Sequence, residues 1–248
     1  MMRLSLHHLD FEFWICFVFR YSDFGFSSNM SLIPNRFLFR VAYPCCYHNE
    51  MPREDEECLL DLPNACRIDN FAGMDNAKSF ADVRLAWNEL GIGIQVKVKG
   101  KEQPPAGDPN RPRGSDGLTL WLDTRGDRTS HRASRYCHQF HFLAAGGGSD
   151  KDEPLFLQSK IHRALQDAPF AEASEMPFRC ELVKGGYRLE AFLSAAVLHG
   201  FDPAEHPKLG FYYAVRDQEQ GEQTLSVGAE FPFAEDPSLW SVLELVRN

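Results

Sequence analysis

From residue 82 the chain alternates. Val83, Leu85 and Trp87 are apolar at every second position, Gly91 breaks the run, and Ile92, Ile94, Val96 and Val98 then alternate with Gly93, Gln95, Lys97 and Lys99. A period of two marks a strand with one buried face, so the two runs predict a hairpin whose second strand keeps one side wet. Residues 101–115 carry Pro104, Pro105, Pro109 and Pro112 among glycines and charges, the chemistry of a long loop. Long loops held on rigid sheets often carry function.

Leu118, Leu120 and Leu122 alternate with Thr119, Trp121 and Asp123, which places Trp121 on the face opposite the leucines. Tyr136, His138, Phe140 and Phe142 alternate with Cys137, Gln139, His141 and Leu143 until Gly146-Gly147-Gly148 stops the strand. Residues 154–168 are ambiguous. Leu157, Ile161 and Leu165 fit helical spacing, while the flanking prolines suit a strand and a bend. Residues 179–184 and 187–193 read as strands around Gly185-Gly186, a strong hairpin signal. A helical turn is expected at 194–198 and further strands at 209–215 and 224–231. Many short strands separated by turns predict an all-β fold, an antiparallel β-sandwich of jelly-roll type with long loops and little helix.

Length allows one generous core, and 44% hydrophobic with 25% charged residues is ordinary globular composition. Thirty-five acidic against 26 basic residues leave a net charge of -9, which argues against nucleic acid or an anionic membrane as partner. Residues 1–29 are set apart by Phe11, Phe13, Trp14, Phe17 and Phe19. Their apolar run of about seven residues is far short of the roughly 20 that a membrane helix needs, and no small-residue cleavage site follows it. The expectation is that translation starts at Met30 and that 1–29 is a mis-assigned or disordered extension. Residues 30–79 then lead into a sandwich at 80–248, in a protein expected in the cytoplasm. Seven cysteines, an odd number, define no closed disulfide framework. Buried thiols are expected, with a Cys58–Cys66 bridge as the alternative.

Four segments occur in the order found in the family 9 carbohydrate-binding modules, part of the wider DOMON-like group of sandwiches. They are Ala81-Asp82-Val83-Arg84-Leu85-Ala86-Trp87-Asn88 with the strand after it, Ser115-Asp116-Gly117-Leu118-Thr119-Leu120-Trp121-Leu122-Asp123, Gly185-Gly186-Tyr187-Arg188-Leu189-Glu190-Ala191, and Leu209-Gly210-Phe211 through Asp217. The chain from about residue 80 resembles that family. The resemblance implies a non-catalytic, carbohydrate-binding sandwich associated with polysaccharide breakdown. It also implies a sugar site in which two tryptophans clamp a terminal sugar. Their places fall at about Arg113 and Val227 here, so the clamp is missing. A glutamate and an arginine of that site align with Thr119 and His141.

Other chemistry is sparse. Arg125, Arg128, His131, Arg132 and Arg135 concentrate positive charge in an acidic protein, and the guanidinium fork suits carboxylate or phosphate; an anionic ligand such as an acidic or terminal sugar is one reading, and a solvated loop paired to the surplus acids is the other. With Arg113, Trp121, Asp123 and His141 they make up the candidate binding set, Trp121 by stacking on a sugar ring, or as part of the core should both sheet faces be covered. Trp87 and Trp240 are expected in the core. Strand alternation sends His138 to the opposite face from Cys137 and His141, the wrong arrangement for a compact zinc site. No cofactor is expected; Asp116, Asp123 and Asp217 are the oxygen donors on which a structural calcium would depend. No nucleophile elbow, phosphate loop or metalloprotease helix is present. Glu190 is the nearest carboxylate candidate for glycoside chemistry, and its strand position favours a structural role. Two other readings stand beside sugar binding: a protein-interaction sandwich that lost the sugar site, and a haem or metal binder using His138 or His141. Oligomeric state is not legible.

Overall fold

The computed structural model describes residues 35–53, 58–75 and 77–247. The expectations for residues 1–29 and for a start at Met30 lie outside them. Eleven strands form one sheet: β1 (Ala42–Tyr47), β2 (Ala81–Asn88), β3 (Gly91–Lys99), β4 (Gly117–Asp123), β5 (Cys137–Gly147), β6 (Glu153–Ser159), β7 (Phe178–Val183), β8 (Gly186–Ser194), β9 (Lys208–Asp217), β10 (Gly221–Thr224) and β11 (Ser241–Val246). Their order is β6-β5-β4-β9-β11-β1-β2-β3-β8-β7, with β10 paired to β9 off this path. The sheet curls until its ends approach: Phe142 of β5 meets Phe178 of β7 with ring centroids 5.3 Å apart. A nearly closed sandwich results, with only short 3-10 turns as helical structure among the described residues.

Alternation explains the core between the layers. Leu118, Leu120 and Leu122 sit opposite Val215, Tyr213 and Phe211 on β9, and across the sandwich Val83 and Leu85 pair with Val96 and Ile94. All ten side chains are buried, each removing apolar surface from water at about 25 cal/mol per Å2. The first part of the ambiguous stretch 154–168 lies in strand β6, paired to β5 from Gln139↔Ser159 to Leu143↔Leu155, and residues 160–168 follow as turns and bends. A half-buried partner edge settled what helical spacing left open.

Two expectations need correction. The sandwich does not begin at residue 80: β1 lies between β11 and β2, parallel to both, so the sheet is not purely antiparallel. The strand expected at 224–231 stops at Thr224. Beyond it the chain leaves the sheet and folds over the outer face of β4 and β9, anchored where Tyr212 Oη donates to the Val227 carbonyl. The cysteines at 58 and 66 are not bridged to one another; all six described cysteines are thiols.

Glu190 is structural. Its buried carboxylate accepts from the backbone amides of Leu59 (2.8 Å) and Leu60 (3.3 Å) and from Gln95 (2.9 Å), fastening the segment before β2 to β3 and β8.

Candidate ligand-binding face

The outer face of β4, β5, β6 and β9 carries two cross-strand rows. One runs Tyr212, Trp121, Gln139, Ser159; the next runs Ala214, Thr119, His141, Leu157. The first half of the first row is covered by the chain after β10. Phe233 stacks on Tyr212 at 4.6 Å and stands edge-on to Trp121 at 5.4 Å, and Trp240 Nε1 donates to the Phe233 carbonyl at 2.7 Å. The second half of each row stays open. There Gln139, His141 and Ser159 floor a shallow cup of about 400 Å3 whose wall is the turn Arg111, Pro112, Arg113, Gly114, within the range of small-ligand sites, about 300–1,000 Å3.

His141 organises the floor. Nδ1 lies 3.0 Å from Thr119 Oγ1, and Nε2 lies 2.5 Å from Ser159 Oγ and 3.2 Å from Gln139 Nε2. Because the Gln139 amide nitrogen can only donate, His141 Nε2 accepts and the ring carries its proton on Nδ1, donating to Thr119. Burial, reinforced by the Arg113 charge, pushes the imidazole pKa down to about 4. His141 is therefore neutral at pH 7, and the positive charge of the cup resides in Arg111 and Arg113.

Arg113 also closes the buried aromatic cluster. Its guanidinium carbon lies 5.8 Å from the centroid of Trp121 and 6.0 Å from that of Phe233, cation–π distances. Trp121 is fully buried beneath it. The expectation that Trp121 stacks on a ligand is therefore corrected. Alternation put it opposite the leucines, but that face is itself covered by Phe233 and Arg113.

The charged side chains of the arginine-bearing loop do not converge on one site. Arg125 and Arg135 both lie over Tyr136, at 4.7 and 5.6 Å from its centroid, and Arg135 Nε donates to His199 Nε2 at 3.0 Å. Arg132 donates to the carbonyls of Arg163 and Ala164. His131 meets Asp236 at 3.0 Å and Ser238 at 3.1 Å, and Arg128 turns into a different cleft, against Phe37 and Trp240. Charges adjacent in sequence are thus dispersed in space. Asp123 is committed to the loop's own turn: its two oxygens accept from the amides of Arg125 (3.0 Å) and Asp127 (2.9 Å), around Gly126 at φ 62. Burial holds its pKa above the usual aspartate value in spite of those amides.

Asp116, Asp123 and Asp217 cannot share a calcium ion. Asp116 immediately precedes β4 and Asp123 ends it, seven residues further along, a separation of roughly 23 Å at about 3.3 Å per residue. Asp116 and Asp217 do converge, but on the Lys101 ammonium, at 2.9 and 3.1 Å. His138 faces inward as expected, stacked on Phe140 at 5.5 Å, and no group of three or more metal-ligating side chains occurs among the described residues.

Of the candidate residues, Arg113 and His141 are brought together. Arg111, Gln139 and Ser159 were not singled out from the sequence. Gln139 shares the parity of His141, and that was the available signal; Ser159 could be placed only once β6 was known as a strand.

No protein-family model and no curated protein matches the chain. Among solved structures, a family 9 carbohydrate-binding module from Caldicellulosiruptor kristjanssonii in complex with cellotriose superposes with a TM-score of 0.52. The identity is 14%, over 84% of this chain and 95% of that one. A family 9 module from the same organism in complex with glucose superposes at 0.48, with 15% identity, over 70% and 81%. The superposition on the cellotriose-bound module shows that the chain has the family 9 carbohydrate-binding module fold.

Proposed function

We propose that the protein is a non-catalytic carbohydrate-binding module whose cup takes a sugar bearing a carboxylate, such as a terminal uronic acid. The observation that carries this reading is the lining. Arg111 and Arg113 stand over a floor of Gln139, His141 and Ser159, and no Asp or Glu lines the cup. Neutral His141, the amide and the hydroxyl supply the mixed donors and acceptors that sugar hydroxyls need, and an arginine fork suits a carboxylate. Cleavage of a glycosidic bond needs a pair of carboxyl groups flanking it, which this lining does not provide. The fold of the cellotriose-bound module supports the sugar class. Arg113 and His141 hold the places of a sugar-site tryptophan and arginine in the family resemblance, and Thr119, the place of its glutamate, is hydrogen-bonded to His141 beneath the cup. Service beside polysaccharide-degrading enzymes belongs to the same reading.

Calorimetric titration of the full chain with glucuronic acid, galacturonic acid and their neutral parents tests it. A uronic acid should bind more tightly than its parent, and Arg113→Gln should weaken it at least tenfold while leaving binding of the neutral sugar within twofold. Silence to all four sugars would overturn the proposal, and equal affinity for acid and neutral forms would remove the carboxylate from it.

A further inference from the structure

The second cleft lies away from the cup, between the end of the β4–β5 loop and the 3-10 turn Pro237–Leu239. It is lined by Arg40, Arg128, Ser226, Ser238, Ser241 and the ring of Trp240, with Phe37 and Phe39 at its side. Its volume is about 20 Å3, room for about one water-sized group and far too little for a sugar ring. Two arginines therefore face a space that admits a single oxygen atom.

No described residue neutralises either arginine. Arg128 Nε is buried without a hydrogen-bond partner, and no described carboxylate forms an ion pair with Arg128 or Arg40, although Arg36 nearby is paired to Glu230 at 3.8 Å. Burial and then the charge of Arg40 push the Arg128 pKa down. In a chain of net charge -9, two guanidinium groups beside each other without an acid are an unfavourable arrangement that a bound anion relieves. The three serines add hydroxyl donors at the same opening.

We infer that the Arg40–Arg128 cleft is a second binding site, for a tetrahedral oxyanion that inserts one oxygen between the two guanidinium groups and leaves the remainder at the surface. Phosphate and sulfate share this chemistry, as free ions or as the ester group of a larger molecule. The site shares no lining residue with the cup.

Thermal unfolding of the full chain, at constant ionic strength set with sodium chloride, is followed while inorganic phosphate, inorganic sulfate or glucose 6-sulfate is added. Saturable stabilisation is expected, about 5–10 °C at one hundred times Kd. Arg40→Gln, at an exposed position, should weaken the midpoint at least tenfold, and Arg128→Gln should abolish the effect. Arg113→Gln in the cup should leave it unchanged. Tighter binding of the sugar ester than of free sulfate assigns the site to esterified ligands; equal binding assigns it to the free ion. No saturable stabilisation by any of the three, or an Arg40→Gln variant that responds like the parent, overturns the inference. Failure here leaves uronic acid binding at the cup untouched, because the two titrations report separately.

Discussion

Lys101→Met is the most demanding test of how the loop that walls the cup is held. The Lys101 side chain is 3% exposed, with its ammonium 2.9 Å from Asp116, 3.1 Å from Asp217 and 3.6 Å from Glu219. The carboxylates have other partners. Asp116 accepts from the amides of Ala106 and Gln218, Asp217 from Glu219 and Gln220, and Glu219 from Glu102 and Gln103. They tie both ends of the 101–116 loop to the β9–β10 turn. Burial on its own would lower the lysine pKa, yet the hydrogen bonds that the ammonium donates to Asp116 and Asp217, and their charges, outweigh it and hold the ammonium above its ordinary value. Removing the cation leaves converging carboxylates without a counter-charge, a loss of about 3–5 kcal/mol from a total of about 5–15 kcal/mol. For a chain of this size that is a fall in Tm of roughly 6–20 °C. Because the folded pKa is raised, the contribution is complete below the unfolded value of about 10.4 and is lost only as pH rises through the folded one. The deficit should therefore be the same at pH 6 and pH 8. Calorimetry or urea unfolding measures it, and Lys101→Met/Asp116→Asn should lose less than the sum of the two single variants. A Lys101→Met protein melting within about 2 °C of the parent would refute the reasoning, since even 1 kcal/mol moves Tm by about 2–4 °C at this size.

Two further outcomes are expected. Burial depresses both His138 and His141 to about 4, so between pH 6.5 and 4 the unfolded chain binds protons that the folded chain refuses. Stability should fall there by up to about 1.4 kcal/mol per pH unit for each histidine; urea midpoints at pH 7, 5.5 and 4.5 in the parent and in His141→Asn check this, and an unchanged slope in the variant would contradict it. Phe233→Ala removes the ring that covers Trp121 and Tyr212, at a cost of about 3–5 kcal/mol, and should shift tryptophan emission to the red; emission unchanged from the parent would mean that the segment after β10 is not the cover.

The β2–β3 and β7–β8 hairpins were legible because alternation and a two-glycine turn are local signals that register preserves. Trp121 was misassigned for a related reason: parity says which residues share a face, never what lies over it. Its cover comes from Phe233, more than a hundred residues along the chain, beyond a stretch whose Leu225 and Val227 continue strand alternation although the strand ends at Thr224. β1 was invisible because Pro44 and two adjacent cysteines in Ala42–Tyr47 break any period. The charge of residues 125–135 was read as a cluster, but a loop sends neighbouring side chains in different directions, and Tyr136, Arg163 and Asp236 each claim some of them. Arg113 and His141 were named through resemblance, and their real relation, wall and floor of one cup, needed the β4–β5–β6 register.

The parallel strand β1 sets where the molecule can be cut. A fragment starting at residue 80, where the recognisable motifs begin, would lack the stave between β11 and β2 and leave both flanks with unpaired amides and carbonyls. Such raw borders recruit other chains, so the minimal soluble unit includes Ala42–Tyr47, and a shorter one should be found in aggregates.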